Sequence, residues 1–208
     1  MISTVLVAAL LSGTGPAASS PAHHSQDKAY GVYGQVVEER ASTRIGYWFR
    51  NVNAGLGEVV VSYGRPLWKA EYEEKFDAMT EGKMWRMGDN YWSIFDTQLP
   101  VTLGGVKIDP GLYYLAIRRS QDGAQWELVF IDHEEARRKL LDSYDVRTRP
   151  AEIPILFTVP LEFEKTQTPV EKMTVLFELE KPSKDRGFMR LTWGSFALSA
   201  PILVEVTP

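Results

Sequence analysis

The chain has 208 residues, 44% hydrophobic, 24% charged and 12% aromatic, a globular composition rather than a disordered or collagen-like one. Its 27 acidic and 23 basic residues give a formal charge of -4, which argues against a nucleic-acid scaffold, because phosphate binding needs clustered excess Lys and Arg. Cysteine is absent, which excludes disulfides, thiolate metal sites, Fe–S clusters and cysteine nucleophiles.

Residues 1–22 stand apart. Met-Ile-Ser-Thr-Val-Leu-Val-Ala-Ala-Leu-Leu opens the chain, and no Asp, Glu, Lys or Arg occurs before Asp27. The apolar run suits the core of a signal peptide and is too short to span a bilayer. Small residues follow, with small-x-small cleavage patterns at Gly15-Pro16-Ala17 and Ser20-Pro21-Ala22. No Lys or Arg precedes the run, which departs from the usual signal pattern. The expectation is a signal peptide over 1–22, a flexible leader over 23–39 and one β-rich domain over 40–208. The mature chain would be soluble and either periplasmic or secreted. No later stretch approaches the ~18 apolar residues of a membrane helix.

Past the leader, period-two alternation dominates. Residues 58–63 (Glu-Val-Val-Val-Ser-Tyr) read as a strand. Residues 71–79 read as a helix with Tyr72, Phe76 and Met79 on one face. Residues 99–103 and 106–108 flank Gly104-Gly105, a hairpin signal because glycine accepts the positive φ of primed turns. Asp109-Pro110-Gly111 predicts a type II turn. Residues 112–118 and 126–131 read as strands across Gln121-Asp122-Gly123. A second helix is expected over 133–141, capped by Asp132 with Glu135 three residues on, and with Ala136, Leu140 and Leu141 inward. Residues 149–154 form the one candidate hinge. Met173, Val175, Phe177 and Leu179 line one face of a strand. Residues 181–187 form a hairpin-type loop, 188–193 a further strand, and Ile202, Val204 and Val206 a last one after Pro201, either an edge or internal. The pattern predicts an all-β fold, a β-sandwich or jelly-roll-like barrel, with one or two short helical insertions.

Catalytic signatures are lacking: no Gly-x-Ser-x-Gly elbow, phosphate loop, calcium loop or His-Glu-x-x-His helix occurs. Nothing calls for a cofactor or a resident metal. One region is unusual. Arg65 stands between Gly64 and Pro66 at a strand end, and Trp85-Arg86-Met87-Gly88-Asp89-Asn90 follows. Arg65, Trp85, Arg86, Asp89 and Asn90 are the candidate ligand-binding residues. The guanidinium groups would grip an anion, Asp and Asn would bond hydroxyls, and the indole would stack on a sugar or cation face. The same residues would equally serve as a buried structural ion-pair network around a core Trp.

These motifs also carry a resemblance. Arg40-Ala41-Ser42 through Ile45-Gly46, then Val59 through Pro66, resemble the opening of the bacterial family called domain of unknown function 2911. Residues 84–90 resemble its second motif, Leu103-Gly104-Gly105-Val106 and Pro110-Gly111-Leu112-Tyr113 its third. Trp126, Tyr144-Asp145-Val146-Arg147, Leu191-Thr192-Trp193 and Ala200-Pro201 follow in family order, so the likeness covers roughly residues 40–206. Three features depart from the pattern: Met87 replaces a usual Thr, Asp89 a usual small residue, and residues 71–83 form an atypical insertion. The resemblance implies an exported β-rich protein and no activity.

Three functions remain open. The leading one is a non-catalytic module binding a small anionic or sugar-like ligand, without nucleic acid and without a membrane span. The second is an envelope saccharide-directed hydrolase or isomerase with Asp89 as acid or base. The third is a structural or protein-binding domain using an exposed sheet edge.

Overall fold

The computed structural model describes residues 39–206. The expected signal peptide lies outside the described residues, as does the expected leader except for Glu39. In chain order the elements are β1 (Arg40–Phe49), β2 (Ala54–Gly64), α1 (Glu71–Thr80), β3 (Met84–Arg86), β4 (Ser93–Thr97), β5 (Val101–Leu103), β6 (Val106–Ile108), β7 (Gly111–Arg119), β8 (Trp126–Asp132), α2 (His133–Arg138), α3 (Asp145–Thr148), a 3-10 turn (Pro150–Glu152), β9 (Ile155–Leu179) and β10 (Arg186–Val204). The fold is all-β with short helical insertions, as its alternation predicts. Hydrogen bonding joins the strands into one open ten-stranded sheet, ordered β1-β2-β4-β7-β8-β9-β10-β5-β6, with β3 also on β7.

Every pairing is antiparallel. The 25-residue β9 carries the sheet from one half to the other. Its first part, through Leu161, pairs with β8, and from Glu162 onward it pairs with β10. The sheet folds around one apolar core. Val59, Val61 and Phe95 from one end meet Leu103, Ile108 and Ile202 from the other in a single buried cluster. Each such large side chain contributes about 1.5–3 kcal/mol on burial.

β7 and β8 are buried on both faces. Leu115, Ile117, Leu128 and Phe130 enter the main core, while Ala116, Val129 and Ile131 pack under Ala136, Leu141 and Val146 of the α2–α3 segment. Two-sided burial explains why the apolar run 128–131 is unbroken. It also anchors α3 beside the end of β3.

Three expectations need correction. The second helix stops at Arg138, not residue 141. Leu140 adopts φ 55°, and the Leu141 N–H donates to the Ala136 carbonyl at 2.9 Å, a left-handed helix stop. Leu140 is therefore 88% exposed rather than inward. Residues 188–193 and 202–204 belong to one strand, β10, which runs through Pro201. Pro201 falls between the β9 pairing, which ends at Ser199, and the β5 pairing, which begins at Ile202, so its missing N–H costs no ladder bond. Residues 202–204 thereby pair with β5 and are not an edge.

Candidate functional site

The site grows from an interruption in one strand. β8 occupies one edge of β7, so β3 and β4 share the other, end to end. Residues 87–92 leave that edge between them. Gly88 (φ 93°) and Asn90 (φ 61°) take the left-handed conformations the excursion needs, which these two residue types tolerate best. Met87 turns inward and is fully buried, and the Ser93 hydroxyl donates to its carbonyl. The loop lies against the end of β2. A Cβ at Gly64 would stand 2.8 Å from the Asp89 carbonyl carbon, and one at Gly88 would stand 2.7 Å from the Gly64 carbonyl oxygen. Two backbones meet here because neither glycine carries a side chain.

Arg86, at the end of β3, organises the loop. Its Nη2 donates to Asp89 Oδ1 at 3.1 Å and its Nη1 to the Asn90 carbonyl at 3.2 Å. The guanidinium carbon lies 3.9 Å from the centre of the Tyr144 ring. Asp89 Oδ1 also accepts the Asn90 N–H at 2.8 Å. The Ser143 hydroxyl donates to the same Asn90 carbonyl, tying the loop to the chain entering α3.

Arg86, Asp89, Ser143, Tyr144 and Arg147 form the polar side of a cleft of about 300 Å³, with Trp85, Tyr72 and Trp193 among its apolar walls. A second cavity of about 200 Å³ adjoins it, sharing Tyr72, Trp85, Arg147 and Trp193. It lies beneath α1, lined also by Trp68, Phe76, Met79 and Phe196. Its rings brace one another. Trp68 sits edge-on to Trp193 at 5.1 Å and to Tyr72 at 5.6 Å. A Cβ at Gly194 would enter the Trp68 indole. The Trp193 Nε1–H donates to the Pro66 carbonyl at 2.8 Å.

Of the five candidate residues, the structure brings Trp85, Arg86 and Asp89 together on the cleft. Arg65 points elsewhere. Its Nε donates to the Met173 carbonyl at 3.1 Å, Nη2 to Thr174 Oγ1 at 3.2 Å and Nη1 to Glu39 Oε1 at 3.3 Å, which ties the end of β2 to β9. Glu39 also receives Lys172 Nζ at 2.6 Å, and this hydrogen bond holds its carboxyl below the usual range. Asn90 does not line the cleft; its backbone serves the Arg86 loop.

The family model for Protein of unknown function (DUF2911) matches residues 49–202. The chain belongs to this family. No curated protein and no solved structure matches it. The matched span of the DUF2911 protein takes in the whole lining of both cavities. The motifs shared with DUF2911 therefore include cleft residues, with Tyr144, Arg147 and Trp193 inside the later ones. Those motifs, together with the shared face of Tyr72, Phe76 and Met79, are the signals by which the remaining lining residues could have been found from the sequence.

Charge on the cleft is unequal. Arg86 is offset by Asp89. The Arg147 guanidinium has no hydrogen-bonded or ionic partner among the described residues. Lys83, at the inner cavity, donates to the Ala78 carbonyl at the end of α1. Asp89 is the one carboxylate among the described residues lining either cavity.

Proposed function

We propose that this DUF2911 protein is a non-catalytic binding module whose cleft at Arg86 and Arg147 takes a small ligand bearing an oxyanion. One observation carries the reading: Arg147 lines the cleft with no side-chain partner among the described residues, while the neighbouring Arg86 is already neutralised, leaving a net positive wall. An unpaired guanidinium offers a planar fork of donors suited to a carboxylate or phosphate. Tyr144, stacked on Arg86, and Trp85 supply flat surfaces beside it. Acid–base hydrolysis needs two titratable groups converging on a substrate. Asp89 is a single carboxylate already committed through Oδ1 to Arg86 and to the Asn90 N–H, which favours binding over catalysis. The signal-like pattern of residues 1–22 supports an exported setting, periplasmic or secreted, for this activity.

The test is thermal denaturation of the protein and of Arg147→Gln with acetate, glucuronate and inorganic phosphate. A ligand at about 100 times its Kd stabilises by about 2.7 kcal/mol. An anion-dependent rise in Tm for the wild type, absent in an equally stable Arg147→Gln, is expected. An equal rise in both would place the anion elsewhere and overturn the reading.

A further inference from the structure

Resting on that reading, we infer that the ligand is a flat apolar monocarboxylate, its ring system seated in the inner cavity beneath α1 and its carboxylate held at Arg147. The two cavities share Tyr72, Trp85, Arg147 and Trp193 in their linings, and the rest of their chemistry is segregated. Arg86, Asp89, Ser143 and Tyr144 belong only to the outer one. The inner one is walled by Trp68, Phe76, Met79, Met84 and Phe196.

Several polar groups of the inner cavity are engaged within the protein. Thr80 Oγ1 donates to the Phe76 carbonyl at 2.7 Å and accepts from Arg119 Nη1 at 2.8 Å. The Lys83 ammonium is on the Ala78 carbonyl, and the Trp193 N–H is on Pro66. A polyhydroxylated ring placed there would turn most of its hydroxyls onto aromatic and aliphatic carbon, and burying an unmatched hydroxyl is unfavourable. A planar hydrocarbon body would instead meet aromatic faces on several sides. Arg147 stands on the boundary, where the head group of such a molecule would lie. The planar fork of the guanidinium matches the two oxygens of a carboxylate.

Calorimetric titration of the whole protein with 2-naphthoate, naphthalene-2-methanol and glucuronate separates the body from the charge. The expected order is 2-naphthoate binding at least tenfold tighter than either partial mimic. Arg147→Gln should bring 2-naphthoate down to the affinity of the neutral alcohol. Met79→Gln, at a position 40% exposed and so tolerant of change, should weaken 2-naphthoate at least threefold through its altered cavity wall. Glucuronate binding as tightly as 2-naphthoate would overturn the apolar body while leaving the anion site standing. Failure of all three probes to bind would overturn both. Tight 2-naphthoate binding unchanged by both substitutions would place it elsewhere and overturn this assignment.

Discussion

Gly64 and Asp89 meet backbone to backbone, so closely that a Cβ at 64 would lie 2.8 Å from the Asp89 carbonyl carbon. This contact joins the end of β2 to the loop between β3 and β4, and so holds the rim of the cleft. Gly64→Ala must push that loop away. Overpacking of this kind costs about 1–3 kcal/mol, which lowers Tm by roughly 2–4 °C per kcal/mol in a domain of this size. Gly46→Ala is the control. Nothing lies within 4 Å of its Cβ position, and its expected change is within about 0.5 kcal/mol. Thermal denaturation of both variants checks the pair.

The two cleft arginines should part company on substitution. Arg86 is 17% exposed and bonded to Asp89 and the Asn90 carbonyl while stacked on Tyr144. Arg86→Ala should cost about 1.5–3 kcal/mol, the scale for hydrogen bonds to charged groups, and should also lose anion binding. Arg86→Lys should not restore it, because an ammonium cannot both stack on the ring and reach two acceptors. Arg147→Ala should abolish anion binding with Tm nearly unchanged. Denaturation and calorimetry on the same three proteins decide the matter; a large Tm loss for Arg147→Ala would mean that it is structural after all.

Much of this architecture is legible in the residues themselves. Met173 and Val175 are buried while Leu176 is exposed, as one-sided alternation predicts. Gly104-Gly105 turns β5 into β6, and Asp132 Oδ1 accepts the Glu135 N–H at 3.0 Å as an N-cap should. Its expected reciprocal partner fails, because Glu135 spends its carboxylate on Arg138 and Lys139. What the pattern hides is long-range. Arg65 and Arg86 look alike in sequence, each within two residues of a glycine and an aromatic residue. Only the pairing of residues 66–68 with β9 decides that Arg65 faces Met173 and Thr174 rather than the cleft. The inner cavity is hidden for the same reason. Its rings come from positions as distant as Trp68 and Trp193, and no local period relates them.

α1 has weak support of its own. Its N-cap position is Ala70, with no capping side chain, and no basic residue stands in its last turn. Arg119 supplies the missing attachment from β7. It is 11% exposed, donates to Asp77 Oδ1 at 2.7 Å, Thr80 Oγ1 at 2.8 Å and the Gly123 carbonyl at 2.8 Å, and lies 5.1 Å from the Trp126 ring centre. Arg119→Met should destabilise the protein by about 2–3 kcal/mol, since it strips a charged donor from several acceptors at once. The loss should be local first. Amide exchange in residues 71–80 should speed up more than in β8, because a helix this short depends on tertiary contacts. Uniform acceleration across the chain would argue against a local strap.

At the far side of the sheet, Tyr47 on β1 donates its hydroxyl to the Lys184 carbonyl at 2.9 Å, in the loop between β9 and β10. Burial, reinforced by the nearby Asp185 charge, pushes its pKa up to about 12. The unfolded phenol ionises near 10. Below pH 10 both states hold the proton, and the full contribution of the bond is present. Between about pH 10 and 12 the unfolded chain releases the proton while the folded chain keeps it, so the unfolded state binds fewer protons and stability falls as pH rises. Tyr47→Phe removes the ionisable group. Its unfolding free energy should start lower at pH 8 and then decline less steeply above pH 10 than that of the wild type. Urea titrations at intervals from pH 8 to 12 measure both slopes, and parallel curves would show that the Tyr47 hydroxyl is not held as the geometry requires.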